Sequence, residues 1–413
     1  MLVGGVVAAM DGNGKDDGAT INPKQQVVSA KRPALPLKLL LLAVLATGFL
    51  AVVVIFLSGF TYSMLPRFSL LLMSSAPLSS SSPTTQLAGG NGKTPLERWI
   101  TTPATTAWHN MTDDELRWAA TWHPAIATYP YKRVPKVAFM FLTHGPLPLA
   151  PLWEKFFSGA TSNDLYSVYI HASPDYTAAA DEFSPASPFY RRHVPSQAVE
   201  WGQPTMVDAE RRLLANALLD LANDRFVLLS ESCVPLFNFS VVYSYITGSN
   251  HSFVGAVDDP GPGGRGRYSG ELAPEVSPEQ WRKGAQWFEL HRDLAVLVVA
   301  DDRYYPKFRE HCRPGCYMDE HYLPTVMSVE APARIANRSV TWVDWSGGGA
   351  HPTTFGEANV DEAFLTRQTT VTDQGKCTYN GQPSEVCFLF SRKFAADTLQ
   401  PMLKLAPKML GYG

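Results

Sequence analysis

Nineteen consecutive residues without a charge, Leu39–Leu57 (LLLLAVLATGFLAVVVIFL), constrain this chain more than any other feature. At 1.5 Å per residue a helix of that length spans about 30 Å, the hydrocarbon thickness of a bilayer. Lys24, Lys31, Arg32 and Lys38 precede the run, and Arg67 is the nearest cation after it. The positive-inside rule then puts the N-terminus in the cytosol and everything beyond Ser58 in a lumen or outside the cell. A cleaved signal peptide would normally have a shorter apolar region nearer Met1. A buried core helix is the third reading, disfavoured because the run is apolar on every side. The expectation is a type II signal anchor at 37–58, making the lipid bilayer one partner through a single span.

The chain beyond the apolar run fits a lumen. The sequons at Asn110, Asn238, Asn250 and Asn337 all lie there. So do the five cysteines, Cys233, Cys312, Cys316, Cys377 and Cys387, where oxidation is permitted. Cys312 and Cys316 could close one short loop and Cys377 and Cys387 another, which leaves one thiol over. Zinc is the competing use for them, but no second Cys/His pair stands at the usual spacing. Lys plus Arg number 35 against 38 Asp plus Glu, a net charge of −3. Such a balance offers nucleic acid no field to follow, and no nucleic-acid partner is expected.

Composition divides the chain into a polar tail (1–36), the anchor, a stem (59–98), a helical lead-in (99–135) and a catalytic domain (136–413). Ser, Pro, Thr and Gly dominate residues 74–95 of the stem. In the lead-in, Thr112 and Glu115 have the spacing of a capping box. In the domain, short apolar runs at Val137–Thr143, Leu165–His171 and Phe226–Ser230 alternate with the helical LAPLWEKFFSG and the amphipathic Pro204–Leu221. Ser252–Val257 and Gln286–Leu290 read as further strands, and Arg292–Ala300 as a helix. This order predicts an α/β domain with a mostly parallel central sheet and a site at the carboxyl ends of its strands.

Five segments in order carry a resemblance: VAFMFLTHGPLPLAPLWEKFF, LYSVYIHASP, RFVLLSESCVPLFNF, WRKGAQWFELHRDLA and CYMDEHYLPT. Together they resemble the core-2/I-branching β-1,6-N-acetylglucosaminyltransferase family, most closely its plant branch, over about Lys136–Leu403. The resemblance implies a GT-A-like glycosyltransferase domain in the Golgi membrane, an inverting mechanism and a UDP-sugar donor, with no metal or other cofactor. N-acetylglucosamine and glucuronic acid are the transferable sugars it brings forward. A glycan or arabinogalactan-type proteoglycan is the acceptor it suggests. A catalytically silent glycan-binding or complex-forming paralogue is the alternative on the same fold.

Inversion needs a carboxylate to take the acceptor proton as the oxygen attacks. The family's base maps onto Glu320, with Asp319 beside it in support. Without the resemblance, both would be read as charges on the first turn of a helix. No Asp-x-Asp occurs anywhere; Asp113-Asp-Glu115 and Asp208-Ala-Glu210 are the near misses. The family instead neutralises the leaving diphosphate with cations, which map onto Lys393 and Arg367. A solvated turn before the last helix is the other reading of Arg392 and Lys393. Thr143, His144 and His171 match the nucleotide edge, although the family often has an acidic residue where His171 stands. Trp342 and Trp287 match acceptor-facing aromatics, and a half-buried strand tryptophan is the other reading of Trp342. Two loops remain: Ser346–His351, glycine-rich, which could close on the donor, and Asp258–Tyr268, whose Arg265 and Arg267 could clamp an acidic acceptor.

Overall fold

The computed structural model describes residues 105–413, apart from 125, 127–128, 178–181, 313–314 and 371–376. Its centre is strand β1, Lys136–Leu142, seven residues that are all buried. Ala138, Met140 and Leu142 enter one apolar cluster; Val137, Phe139 and Phe141 enter another on the opposite face. A strand covered on both faces has no polar side to show, so it reads as an unbroken apolar run.

β2 (Tyr166–His171) and β3 (Asn223–Ser230) flank β1, both parallel to it. Helices make the crossovers. α2 (Ala150–Ser158) leads from β1 towards β2, and α3 (Thr205–Leu218) leads from β2 to β3. Leu142 is in register with both His171 and Ser230, so the three carboxyl ends finish level. That shared end is where ligands collect in open parallel sheets.

The central sheet is mostly parallel, as expected, and only its fourth strand, β5 (Glu289–His291), pairs antiparallel, with β3 through Arg225–Val227. A helix at 239–247 lies in the connection from β3, but the last stretch into β5 is an irregular ribbon that enters against the direction of β3. Ser252–Val257, expected as a strand, makes only isolated bridges, among them Phe253 to Glu289 and Val257 to Lys283.

A further correction concerns the membrane. Among the described residues no helix is long and apolar enough to cross one. The longest of these is α3, at 14 residues. It rises only about 21 Å and carries Asp208, Glu210, Arg211 and Arg212. The expected span at Leu39–Leu57, with the tail and stem, lies outside the described residues. The fold is therefore a mixed α/β domain, and no described helix supplies the expected bilayer contact.

A second sheet completes the site. β4 (Val234–Pro235) comes directly after β3 and pairs antiparallel with β7 (Phe390–Arg392). β7 pairs parallel with β6 (Thr341–Val343), placing Trp342 opposite Ser391 and Val343 opposite Arg392. The C-terminal part of the chain is thereby returned to the end of β3. In the lead-in, α1 (Asp113–Ala120) starts on the Thr112–Glu115 capping box and buries Leu116 and Ala120. It is tied to α3 by the Asp113–Arg212 ion pair.

Candidate functional site

Glu320 closes a 3-10 turn, Met318–Glu320, just ahead of helix α5 (Tyr322–Glu330). Its carboxylate is only partly covered. Oε2 accepts from Arg267 Nη1 at 2.7 Å, and Lys283 Nζ lies 3.9 Å away. The Arg267 guanidinium carbon sits 4.4 Å from the centre of the Tyr317 ring, so both a carboxylate and an aromatic face hold the arginine. The Glu320 backbone is fixed as well: the N–H of Gly284 donates to its carbonyl at 2.9 Å. A side chain at Gly284 would collide, since a Cβ there would lie 2.0 Å from the Gly255 carbonyl oxygen and 2.8 Å from Pro324 Cγ.

Behind Glu320 the carboxyls are buried. Asp319 is 8% exposed and its Oδ1 has no hydrogen-bond partner. Burial, and secondarily the charge of Glu320, pushes its pKa up to about 6. Glu210, on the buried face of α3, accepts from Gln286 Nε2 at 2.9 Å. Burial and then Asp319 hold its pKa well above the ordinary carboxyl range. His321 is stacked on Trp281 at 4.4 Å between ring centres and bonded to the Arg282 carbonyl through Nδ1. Burial pushes it down to about 4, so it is neutral near pH 7.

The cationic end lies along the same ribbon. From Lys283 and Gly284 at Glu320, the chain passes Gln286 at Glu210 and reaches Trp287. The guanidinium of Arg392 lies 4.0 Å over the Trp287 ring. Burial lowers the pKa of Arg392, and its Nε has no hydrogen-bond partner. Lys393, half-buried, is the next residue, and Phe394 donates to the Ser232 carbonyl at the end of β3. The cationic pair thus stands at the carboxyl end of the sheet. Cys233, free and buried, lies beside it.

The remaining expected residues are spread over the sheet edge and the surface. Thr143 is buried, its hydroxyl donating to the Gly145 carbonyl at 2.9 Å, while His144 is exposed. His171 is fully buried; its Nε2 accepts from the Gln197 N–H at 3.2 Å. Burial, then Arg212, pushes it down to about 4. Trp342 is half-buried and stacked on Phe355, while Trp287 is buried under Arg392. Arg367 is exposed on α6 (Glu362–Thr370), over Phe364, whose ring packs against Phe394. Cys312–Cys316 and Cys377–Cys387 are disulfide-bonded. Asn110, Asn250 and Asn337 are exposed. Asn238 caps helix α4 (Phe239–Thr247), accepting from the Val241 N–H.

The structure therefore brings Glu320, beside Asp319, to one end of the ribbon 283–287 and Arg392, beside Lys393, to Trp287 at the other, and keeps His171 inside the core. Reading the residues for chemistry missed Glu210, Gln286 and Gly284, and gave Arg392 no role. Of these only Glu210 left a trace, as an acidic residue on the apolar side of an amphipathic helix.

Among the described residues no three His, Cys, Asp or Glu side chains gather as metal ligands. Comparison with known proteins places the expected resemblance on firm ground. Residues 137–369 match the family described as Core-2/I-Branching enzyme. Glycosyltransferase BC10 of Oryza sativa subsp. japonica is 34% identical over 311 residues, covering 66% of this chain and 76% of that protein.

Proposed function

Because the chain belongs to the core-2/I-branching enzyme family, a glycosyltransferase family with plant members, we propose an inverting, metal-independent transfer from a UDP-sugar. The sugar is N-acetylglucosamine or glucuronic acid, and the acceptor is a glycan hydroxyl, as on an arabinogalactan-type proteoglycan. The observation that carries this reading is the ribbon 283–287, which meets Glu320 at one end and the Arg392 guanidinium, one residue from Lys393, at the other.

In this mechanism Glu320 takes the acceptor hydroxyl proton as that oxygen bonds to the anomeric carbon. The bond from that carbon to the diphosphate breaks on the opposite face, and its electron pair leaves on a phosphate oxygen. Arg392 and Lys393 stabilise the developing charge where a metal would otherwise act, with Arg367 flanking them. Arg267 holds the Glu320 carboxylate through Oε2, which leaves Oε1 to take the acceptor proton. Burial raises the pKa values of Asp319 and Glu210, which reduces the negative charge they place beside the incoming diphosphate. Two disulfides and three exposed sequon asparagines favour an oxidising lumen such as the Golgi as the working compartment.

A screen of UDP-sugars with the purified full chain tests this by measuring donor hydrolysis and transfer. Turnover of one donor is expected in excess chelator. No turnover with any donor would favour a catalytically silent paralogue. The observation on that side is that Arg267 already occupies Glu320.

A further inference from the structure

Beyond Glu320 a chain of tilted aromatic rings, here called the stack, continues to the surface. Tyr317 holds Arg267 on its ring, and the Trp201 ring centre lies 5.2 Å from that of Tyr317. His351 lies 4.8 Å from Trp201. Trp201 nevertheless remains 47% exposed. The backbone is shaped for this placement. Gly202 is left-handed, at φ +76°, and a Cβ there would lie 3.3 Å from the Tyr317 ring, so the ring packs directly on the main chain. Tyr317 is itself left-handed at φ +55°, immediately after the Cys312–Cys316 bridge. A bulky residue in that region is unfavourable and persists where its surroundings impose it. His351 comes from the loop containing Gly348 and Gly349, both at positive φ.

We propose that Trp201, with Tyr317 and His351, forms a subsite for a neutral pyranose of the acceptor glycan, next to the unit whose hydroxyl meets Glu320. The C–H face of a pyranose carries slight positive charge and suits the negative face of an indole. The sugar is neutral because Arg267 is matched by Glu320, so no cation in the stack is left to hold a uronate. It belongs to the acceptor because the stack leaves Glu320 on its Arg267 side, whereas the cations of the departing diphosphate lie along the ribbon past Trp287. This assignment rests on Glu320 as the base.

The test uses the full chain and a panel of neutral disaccharides (β-1,3-galactobiose, xylobiose and cellobiose), with binding followed by saturation-transfer NMR and indole fluorescence. Wild type is expected to bind at least one. Trp201→Ala should weaken that binding tenfold or more, Trp201→Phe should restore most of it, and UDP-sugar affinity should stay within twofold. Should Trp201→Ala fail to fold, His351→Ala replaces it, with a smaller loss expected. Glu320→Gln should keep disaccharide binding and lose transfer. If it kept transfer, the base would be wrong, whereas the Trp201 result is read separately from binding. Absence of binding to every disaccharide, or a loss confined to the UDP-sugar, would overturn the subsite.

Discussion

The guanidinium of Arg392 lies over Trp287, 4.0 Å from the ring centre, at the foot of the ribbon that starts from Glu320. The indole supplies a negative face in place of a salt-bridged carboxylate. On the proposed mechanism, that leaves the Arg392 charge for the incoming diphosphate.

That arrangement makes Lys393 and Arg392 separable by mutation. Lys393→Ala removes one charge from the half-buried edge and should slow transfer by roughly 10²-fold, taking one stabilising group at about 3 kcal/mol. Arg392→Ala should cost as much in rate and in addition destabilise the fold, because it strips the cover from Trp287. Transfer rates with thermal melts measure both. Neither rate should respond to chelator or manganese; activity that vanished with chelator and returned with manganese would reject the scheme.

Glu320→Gln keeps the side-chain shape and an oxygen for Arg267 but removes the basic group. Transfer should nearly disappear while the melt and UDP-sugar binding by calorimetry stay close to wild type. Asp319→Asn should lose activity only in part. If Glu320 only charges the start of a helix, its amide would cost about 0.3–1 kcal/mol of stability and spare the rate.

Gly284→Ala places a methyl group against the Gly255 carbonyl oxygen, a backbone atom that cannot swing away. The expected loss is about 3 kcal/mol or more in denaturant unfolding, with turnover reduced because Gly284 also anchors the Glu320 carbonyl. Gly270→Ala, where nothing lies within 4 Å of the new carbon, should change stability by less than about 0.5 kcal/mol.

Stability should fall as pH rises through the neutral range. Burial raises Glu210 well above the ordinary range and Glu289 to about 7. A carboxyl with a raised folded pKa stabilises the fold below its unfolded value and loses that contribution as pH climbs through the folded one. His171 and His321, both pushed to about 4, act in the other direction. Each costs stability below its folded pKa, and that cost disappears as pH rises to about 6.5, so they offset the carboxyls only on the acid side. Melting temperature across buffers measures this, and Glu210→Gln should flatten the alkaline slope.

How far these features were legible in the sequence depended on their range in the chain. β1 was legible because both its faces are buried, and the α1 start because Thr112 and Glu115 are three residues apart. Ser252–Val257 has strand-like composition, but its neighbours bridge it at single points rather than along a ladder. Glu320 and Lys393 were singled out only through the resemblance carried by their flanking segments. Their surroundings were not: Arg267 meets Glu320 across 53 residues, and Arg392 meets Trp287 across a sheet that only tertiary folding assembles. His171, a strand-end histidine, is fully buried with its ring turned to the Gln197 N–H, a contact that the strand pattern alone does not reveal.

The ribbon 283–287 has a geometric consequence. Four peptide steps reach at most about 14 Å, and each step is worth about 3.5 Å. One inserted or deleted residue would shift Glu320 and Arg392 relative to each other by more than the tolerance of a hydrogen bond. The ribbon is thus a molecular ruler. Under the proposed transfer mechanism, a change in its length would leave both ends intact and the reaction between them out of reach.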